Sequence, residues 1–283
     1  MDCTDFNITI VGLGLIGGSY AMALKKLNPK NLWAIDIDKA TLETAEKMNI
    51  IDRGYISPEI PLRNSDIVIL AIYPQKTIAF VKTNMKFFKS GAVITDTAGI
   101  KSDLISEIMP ILREDIDFIG GHPMAGKEES GLKAATMDMF KHANYILTPI
   151  NGNKERNINL ITELACNMGC KRVVHLTPME HDDIIAYTSQ LPHVIAVSLI
   201  DSNSSITRIS QFVGEGFKDT TRVATINEEL WPELLLYNKQ NIINKIEDFE
   251  NNIKEIKTAI INGDEAFLKK RFESATNKRK ELG

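Results

Sequence analysis

Gly12, Gly14 and Gly17 form a Gly-x-Gly-x-x-Gly turn directly after the apolar run Ile8-Thr9-Ile10-Val11 and ahead of the helix-like stretch from Ser19 to Leu27. Such a turn lets the backbone approach a pyrophosphate with no Cβ in the way, while the following helix aims its free N–H groups at the same anion. A second apolar run, Leu32-Trp33-Ala34-Ile35, ends at Asp36, about 20 residues beyond Gly14, where a ribose-binding carboxylate is expected. A carboxylate there accepts hydrogen bonds from ribose hydroxyls and repels the extra phosphate of NADP, so NAD is the expected cofactor. Asp38 precedes Lys39-Ala40-Thr41-Leu42-Glu43 and reads as the N-cap of the next helix. A plain glycine turn followed by a capping aspartate would account for the same residues. Strand, turn, helix and carboxylate in this order favour a dinucleotide site.

The second pattern is Ile119-Gly120-Gly121-His122-Pro123-Met124-Ala125-Gly126, which follows the strand-like Phe118-Ile119-Gly120. Glycines before His122 and a proline after it bias the segment away from helix, and the imidazole is expected on a shaped loop. A neutral imidazole accepts a hydroxyl proton near pH 7. A loop histidine is more often structural or solvated, so His122 alone does not define a reaction.

The elements that position these residues follow from the apolar runs. After the first two come Ile67 to Ile72, Ala92 to Asp96, Phe118 to Gly120, Tyr145 to Thr148 and Arg172 to Leu176, with helical segments between them. Continuous apolar strands alternating with helices predict an α/β fold of Rossmann type. Its sheet is mostly parallel, with helices on both faces and ligands at the carboxyl ends of the strands. Cofactor contacts are accordingly expected from Gly12, Gly14, Leu15, Ile16, Gly17 and Asp36, and from Ile72 and Thr97 at the ends of the third and fourth runs.

The pattern changes at Thr177-Pro178-Met179-Glu180, a capping box with proline at the first helical position. Little strand-like sequence follows. The expected division is residues 1–176 as the NAD-binding domain and 177–283 as an all-helical substrate and dimerisation domain, in keeping with a chain of 283 residues. Ile242, Ile246, Phe249, Ile253, Ile256 and Ile260 mark the seam of a long helix that Gly263 ends. A core stripe within one subunit and a helical interface are both compatible with it, and a short helical domain offers the stripe few internal partners. A homodimer through this domain is therefore expected.

With 43% hydrophobic and 25% charged residues the chain is ordinary globular protein, and a net charge of −4 gives no electrostatic reason for nucleic acid or an acidic membrane as partner. The start Met1-Asp2-Cys3-Thr4-Asp5 lacks the marks of a signal peptide, and no segment reads as an uncharged membrane span, so a cytoplasmic protein is expected. Cys166 and Cys170 lack further ligands at metal-site spacing, so no metal is expected.

Several segments together resemble the prephenate dehydrogenases, the family that includes the arogenate dehydrogenases of tyrosine biosynthesis. They are Val11-Gly12-Leu13-Gly14-Leu15-Ile16-Gly17-Gly18, Asp96-Thr97-Ala98-Gly99-Ile100-Lys101, and Gly121-His122-Pro123-Met124-Ala125-Gly126 with Glu128 and Ser130-Gly131. Ser189-Gln190-Leu191-Pro192-His193, Gly216 to Ala224 and Trp231 complete the set. They run through most of the chain in family order, and the histidine segment and Phe217-Lys218-Asp219-Thr220-Thr221-Arg222 are the most specific.

The resemblance implies an oxidative decarboxylation in which prephenate loses a hydride from ring C4 to NAD and its ring carboxylate as CO2, giving 4-hydroxyphenylpyruvate. His122 takes the place of the base at the ring hydroxyl, Arg222 that of the arginine gripping a substrate carboxylate, and His193 lies near the substrate side chain. Gly99 stands where many relatives carry a serine that binds the hydroxyl. A backbone N–H, a water or Thr97 are the alternatives for that contact. Lys127 either meets the side-chain carboxylate of the substrate or pairs with Glu128. Two further readings stay open: an arogenate dehydrogenase, and an NAD-binding dimeric sensor without turnover.

Overall fold

The structure is a computed structural model that describes residues 3–127, 129–202 and 209–282. The chain falls into two compact units, Met1–Asn238 and Lys239–Gly283. The first is built on an eight-stranded sheet of order β3-β2-β1-β4-β5-β6-β7-β8. Its strands are β1 (Asn7–Val11), β2 (Asn31–Ile35), β3 (Arg53–Tyr55), β4 (Ile67–Leu70), β5 (Val93–Asp96), β6 (Asp117–Pro123), β7 (Asn144–Thr148) and β8 (Arg172–His175). All neighbours pair in parallel except β6 and β7, which are antiparallel.

The apolar runs are continuous because both faces of the sheet are covered. Ile67 and Ile69 enter one core, while Val68 and Leu70 enter the other, as the two-residue period of a strand requires. Helices α1 (Leu15–Lys25), α2 (Lys39–Lys47) and α6 (Glu155–Asn167) fill the first face. Helices α3 (Glu59–Asn64), α4 (Pro74–Asn84) and α5 (Ser102–Ile108) fill the second. Strand order reverses between β1 and β4, which opens the crevice where ligands sit in such sheets.

Two expectations need correction. His122 does not lie on a loop: β7 pairs antiparallel along β6, matching His122 with Ile146 and Pro123 with Tyr145, so the histidine sits on a strand. Glycine and proline disfavour helix without forbidding a strand, and Pro123 closes the run. The short strand β3 carries only Arg53-Gly54-Tyr55 and has no apolar run of its own.

Beyond β8 the described residues are helical. Thr177 and Glu180 form the expected capping box at the start of α7 (Pro178–Ile185). A π-helical turn (Ala186–Gln190) then leads into α8 (Leu191–Asp201). Pro192 has no N–H for the carbonyl of Thr188 and its ring crowds that carbonyl, which accounts for the widened turn. The continuous helix Pro178–Asp201 is long and apolar enough to cross a membrane by length and composition, although it carries Glu180, Asp182, Asp183 and Asp201. Its buried His181, Asp182 and Gln190 nevertheless bond to β6, to the start of α5 and to the helices that follow, as in a core helix. Next come α9 (Glu215–Thr221), a 3₁₀ turn (Arg222–Ala224) and α10 (Leu230–Tyr237).

The second unit is a helical pair, α11 (Lys239–Asn262) and α12 (Glu265–Glu281), joined at Gly263, whose φ of 66° only glycine adopts freely. Arg271 of α12 bonds to Glu255 and Asn252 of α11. On the isoleucine seam, Ile253 and Ile260 are exposed, as are Ile261 and Phe272.

Candidate active site

At the crevice, each glycine of the turn has a separate reason. Gly12 has φ of 89°, and a Cβ there would stand 2.5 Å from Ile72 Cγ2. A Cβ on Gly17 would stand 1.8 Å from the carbonyl oxygen of Gly12, so the helix packs on the strand only with glycine. Around Gly14 nothing lies within 4 Å of a built Cβ, and the first turn of α1 has neither a side-chain cap nor an acidic residue. Uncapped N–H groups beside an open approach fit an incoming pyrophosphate.

Asp36 is tied into this cradle. Its Oδ2 accepts the N–H of Leu13 at 2.7 Å and its Oδ1 accepts that of Asp38 at 2.9 Å, which leaves further lone pairs for ribose hydroxyls. Asp38 caps α2 through the N–H of Ala40, as expected. Ile72 and Thr97 follow β4 and β5 at the same edge, and the Thr97 N–H donates to the carbonyl of Leu70. These residues fit a dinucleotide.

The reactive end is built on β5, β6 and α7. In β6 the strand period turns Phe118, Gly120 and His122 toward the face covered by α5, and Gly121 toward the other. A Cβ on Gly121 would meet the Tyr145 hydroxyl at 2.7 Å and the Asp96 carbonyl at 2.8 Å, so only glycine lets β6 lie this deep. The half-buried His122 then places Nδ1 2.9 Å from Nε2 of His181. His181 in turn places Nδ1 2.7 Å from Oδ1 of Asp182. Oδ1 of Asp182 also accepts the N–H of Lys101 at 2.9 Å, and Oδ2 that of Ser102 at 2.7 Å, at the N-terminus of α5.

These contacts fix protonation. Burial pushes the Asp182 carboxyl up, but hydrogen bonds from His181 and Ser102 outweigh it and hold the pKa below the usual range. Burial, followed by the charges of His181 and Lys101, holds His122 well below 6.5, and His181 is lowered chiefly by burial. Both imidazoles are neutral at pH 7. An ionised Asp182 only accepts, so His181 carries its proton on Nδ1 and accepts on Nε2. His122 therefore carries its own proton on Nδ1 and keeps a lone pair on Nε2.

That lone pair faces Gly99, where a Cβ would stand 3.7 Å from His122 Nε2 and 3.7 Å from Leu234 Cδ2. The Gly99 loop is held from below by the fully buried Lys101. Its Nζ donates to Asp96 Oδ2 at 2.7 Å, to the Ala98 carbonyl at 2.6 Å and to the Ile100 carbonyl at 3.0 Å. Above it, α10 carries Leu234 together with Trp231, whose ring lies 3.9 Å from that of His193. His193 Nδ1 bonds to the carbonyl of Ser189, leaving Nε2 as its acceptor when the ring is neutral. Arg222 is exposed and opens the 3₁₀ turn that packs against α8. Lys127 is exposed, and Glu128 lies outside the described residues.

The structure thus brings His122, Gly99, Leu234, Trp231 and His193 into one neighbourhood. Sequence reasoning passed over His181, Asp182 and the anchoring role of Lys101. The one available signal was a His-Asp doublet one turn into the helix that the capping box opens.

A sheet that cradles a dinucleotide at its β1/β4 crevice, beside a neutral and oriented imidazole, defines an NAD-dependent dehydrogenase. Residues 20–175 match the prephenate dehydrogenase nucleotide-binding domain and residues 177–274 the prephenate dehydrogenase dimerization domain. The chain belongs to the prephenate dehydrogenase family. Prephenate dehydrogenase of Bacillus subtilis is 31% identical over 282 residues, covering 96% of this chain and 75% of that protein. Among solved structures, prephenate dehydrogenase of Aquifex aeolicus, in complex with hydroxyphenyl propionate and NAD+, has a TM-score of 0.90 at 28% identity and covers 98% of both chains. Synechocystis arogenate dehydrogenase has a TM-score of 0.84 at 25% identity, covering 98% of this chain and 99% of that one.

Proposed function

We propose that the protein oxidises prephenate with NAD and releases CO2, forming 4-hydroxyphenylpyruvate. The observation that carries this reading is the Nε2 lone pair of His122 facing Gly99. As the ring carbon is oxidised, the oxygen on it becomes more acidic, so a base at that hydroxyl stabilises the transition state more than the ground state. Bound NAD supplies the acceptor for the hydride. His122 takes the hydroxyl proton on Nε2. Loss of the ring carboxylate restores aromaticity, so the protein has mainly to hold the dianion in place.

Arg222 is assigned to a substrate carboxylate, a role suited to a planar, permanently charged fork. His193, stacked on Trp231, is assigned to the substrate side chain. Lys127 and Glu128 are assigned to substrate binding. The bare Cα of Gly99 leaves room at the hydroxyl for a water or the substrate itself. For the cofactor we assign Gly12, Gly14, Leu15, Ile16 and Gly17 to the pyrophosphate, Asp36 to the ribose, and Ile72 and Thr97 to the nicotinamide half. Residues 1–176 then serve NAD and residues 177–283 serve substrate and assembly. Support for the division comes from the capping box at Thr177 and the extents of the two domain matches.

The active species in this reading is a homodimer joined through the helical part, supported by the dimerization-domain match and the exposed Ile253, Ile260 and Phe272. A reducing, cytoplasmic setting accords with the three cysteines, Cys3, Cys166 and Cys170, being in no disulfide.

Absorbance of NADH, followed with prephenate and arogenate side by side, tests the substrate. Turnover with prephenate at a kcat/KM above that for arogenate is expected. Preference for arogenate would move the protein to the other branch of the family, and no turnover with either would leave a binding protein.

A further inference from the structure

The Asp182–His181–His122 chain is more elaborate than a base requires, since a backbone carbonyl would suffice to orient one ring. Asp182 is anchored on both oxygens by backbone N–H groups of α5, so its position is set by the fold and not by solvent. His181 is fully buried and spans the gap from that carboxylate to His122. The groups facing His181 are Asp182 on its own helix, His122 from β6, the Asp96 charge at the end of β5 and the Lys101 charge from the loop after it.

We propose that His181, held by Asp182, is the positioning residue for proton transfer. It accepts the Nδ1–H of His122, so that only the form with a free Nε2 is populated, and shares the positive charge once that nitrogen is protonated. The proposal rests on His122 being the base of the reading above. In the step itself the substrate O–H bond breaks and an N–H bond forms at Nε2; the oxygen electron pair forms the C=O bond as the C4–H bond breaks, its hydrogen and electron pair leaving as hydride to NAD, the oxidant. No bond to His181 is made or broken; its lone pair meets a donor that has become cationic, and a charge-assisted hydrogen bond is the stronger one.

Changing Asp182 to asparagine gives a specific expectation. Either orientation of the amide sets its NH2 against a backbone N–H, that of Lys101 at Oδ1 or that of Ser102 at Oδ2, so the anchoring of His181 is weakened and its proton is no longer fixed on Nδ1. His122 is then no longer confined to the form with a free Nε2.

The test has two parts. In the wild-type protein with 15N-labelled histidine, where only five histidines need assignment, His122 at pH 7.5 is expected to show a protonated Nδ1 and an unprotonated Nε2. In steady-state kinetics, His181→Leu and Asp182→Asn are expected to lower kcat by about 10² or more with KM for substrate and NAD within about threefold, as for loss of an orienting partner. His181→Gln, which keeps an acceptor near the Nε2 position, should regain at least tenfold over His181→Leu. A wild-type His122 protonated on Nε2 would overturn the proposal, and so would His181→Leu with wild-type kcat while His122→Asn is impaired. Equal activity of wild type and His122→Asn would instead overturn the underlying base assignment.

Discussion

Nε2 of His122 looks onto the bare Cα of Gly99, where a β-carbon would lie 3.7 Å from the nitrogen. That distance is ordinary van der Waals contact, so the fold accepts a methyl group there, but the methyl would occupy the space through which a hydroxyl reaches the base. Gly99→Ala is expected to lower kcat/KM by about 10² with a nearly unchanged melting temperature, since displacement of a reacting group by about 1 Å costs on that order. Gly99→Ser, with a hydroxyl able to bond to the substrate oxygen, should recover part of the loss. Wild-type kcat/KM in Gly99→Ala would place the reacting hydroxyl elsewhere.

The pH dependence follows from the direction of the histidine shifts. His122 must be neutral to accept a proton and is held below 6.5, so kcat should be flat through neutrality and fall only as the pH drops through that lowered value. The same shifts bear on stability. The unfolded chain binds protons at His122 and His181 more readily than the folded one, so the contribution is fully present above about pH 6.5 and is lost as the pH falls toward the folded values. Melting temperatures between pH 7.5 and 5 should decline, and less steeply in a His181→Gln variant.

Asp36 orders the glycine turn as well as facing the ribose site, because its Oδ2 holds the Leu13 N–H. Asp36→Ala should raise KM for NAD by about ten- to a hundredfold and abolish the preference for NAD over NADP, while Asp36→Asn, still an acceptor for Leu13, should retain more NAD binding. Cofactor titrations of both variants check this. An unchanged NAD preference in Asp36→Ala would remove the residue from the cofactor site.

Lys101 and Asp96 are both fully buried, with the ammonium also satisfied by two loop carbonyls. Lys101→Met leaves the Asp96 carboxylate unpaired by a cation and unties the Gly99 loop. A loss of about 3 to 5 kcal/mol in urea unfolding is expected, the cost of breaking rather than replacing a buried pair. The double change Lys101→Met with Asp96→Asn should recover part of it.

Much of the nucleotide half was legible because its signals are local. The Gly12-x-Gly14-x-x-Gly17 turn, the apolar strands and the Asp38 and Thr177 caps each depend on residues near in sequence, and each forms as expected. The reactive site was legible only in part, since His122 meets His181 across 59 positions and nothing near either residue announces the other. His122 was expected on a loop because Gly120, Gly121 and Pro123 mark irregular backbone locally, whereas pairing with the distant β7 makes that segment a strand. The burial of Lys101 against Asp96 depends on the loop folding back, which no residue pattern around it signals.

The most direct test is the kinetics of His122→Asn, which keeps a polar group of similar size but no titratable base. Steady-state NADH formation should show kcat lowered by about 10² to 10⁴ with KM for prephenate changed by less than about threefold. Turnover at the wild-type rate in that variant would contradict the assignment of His122 as the base.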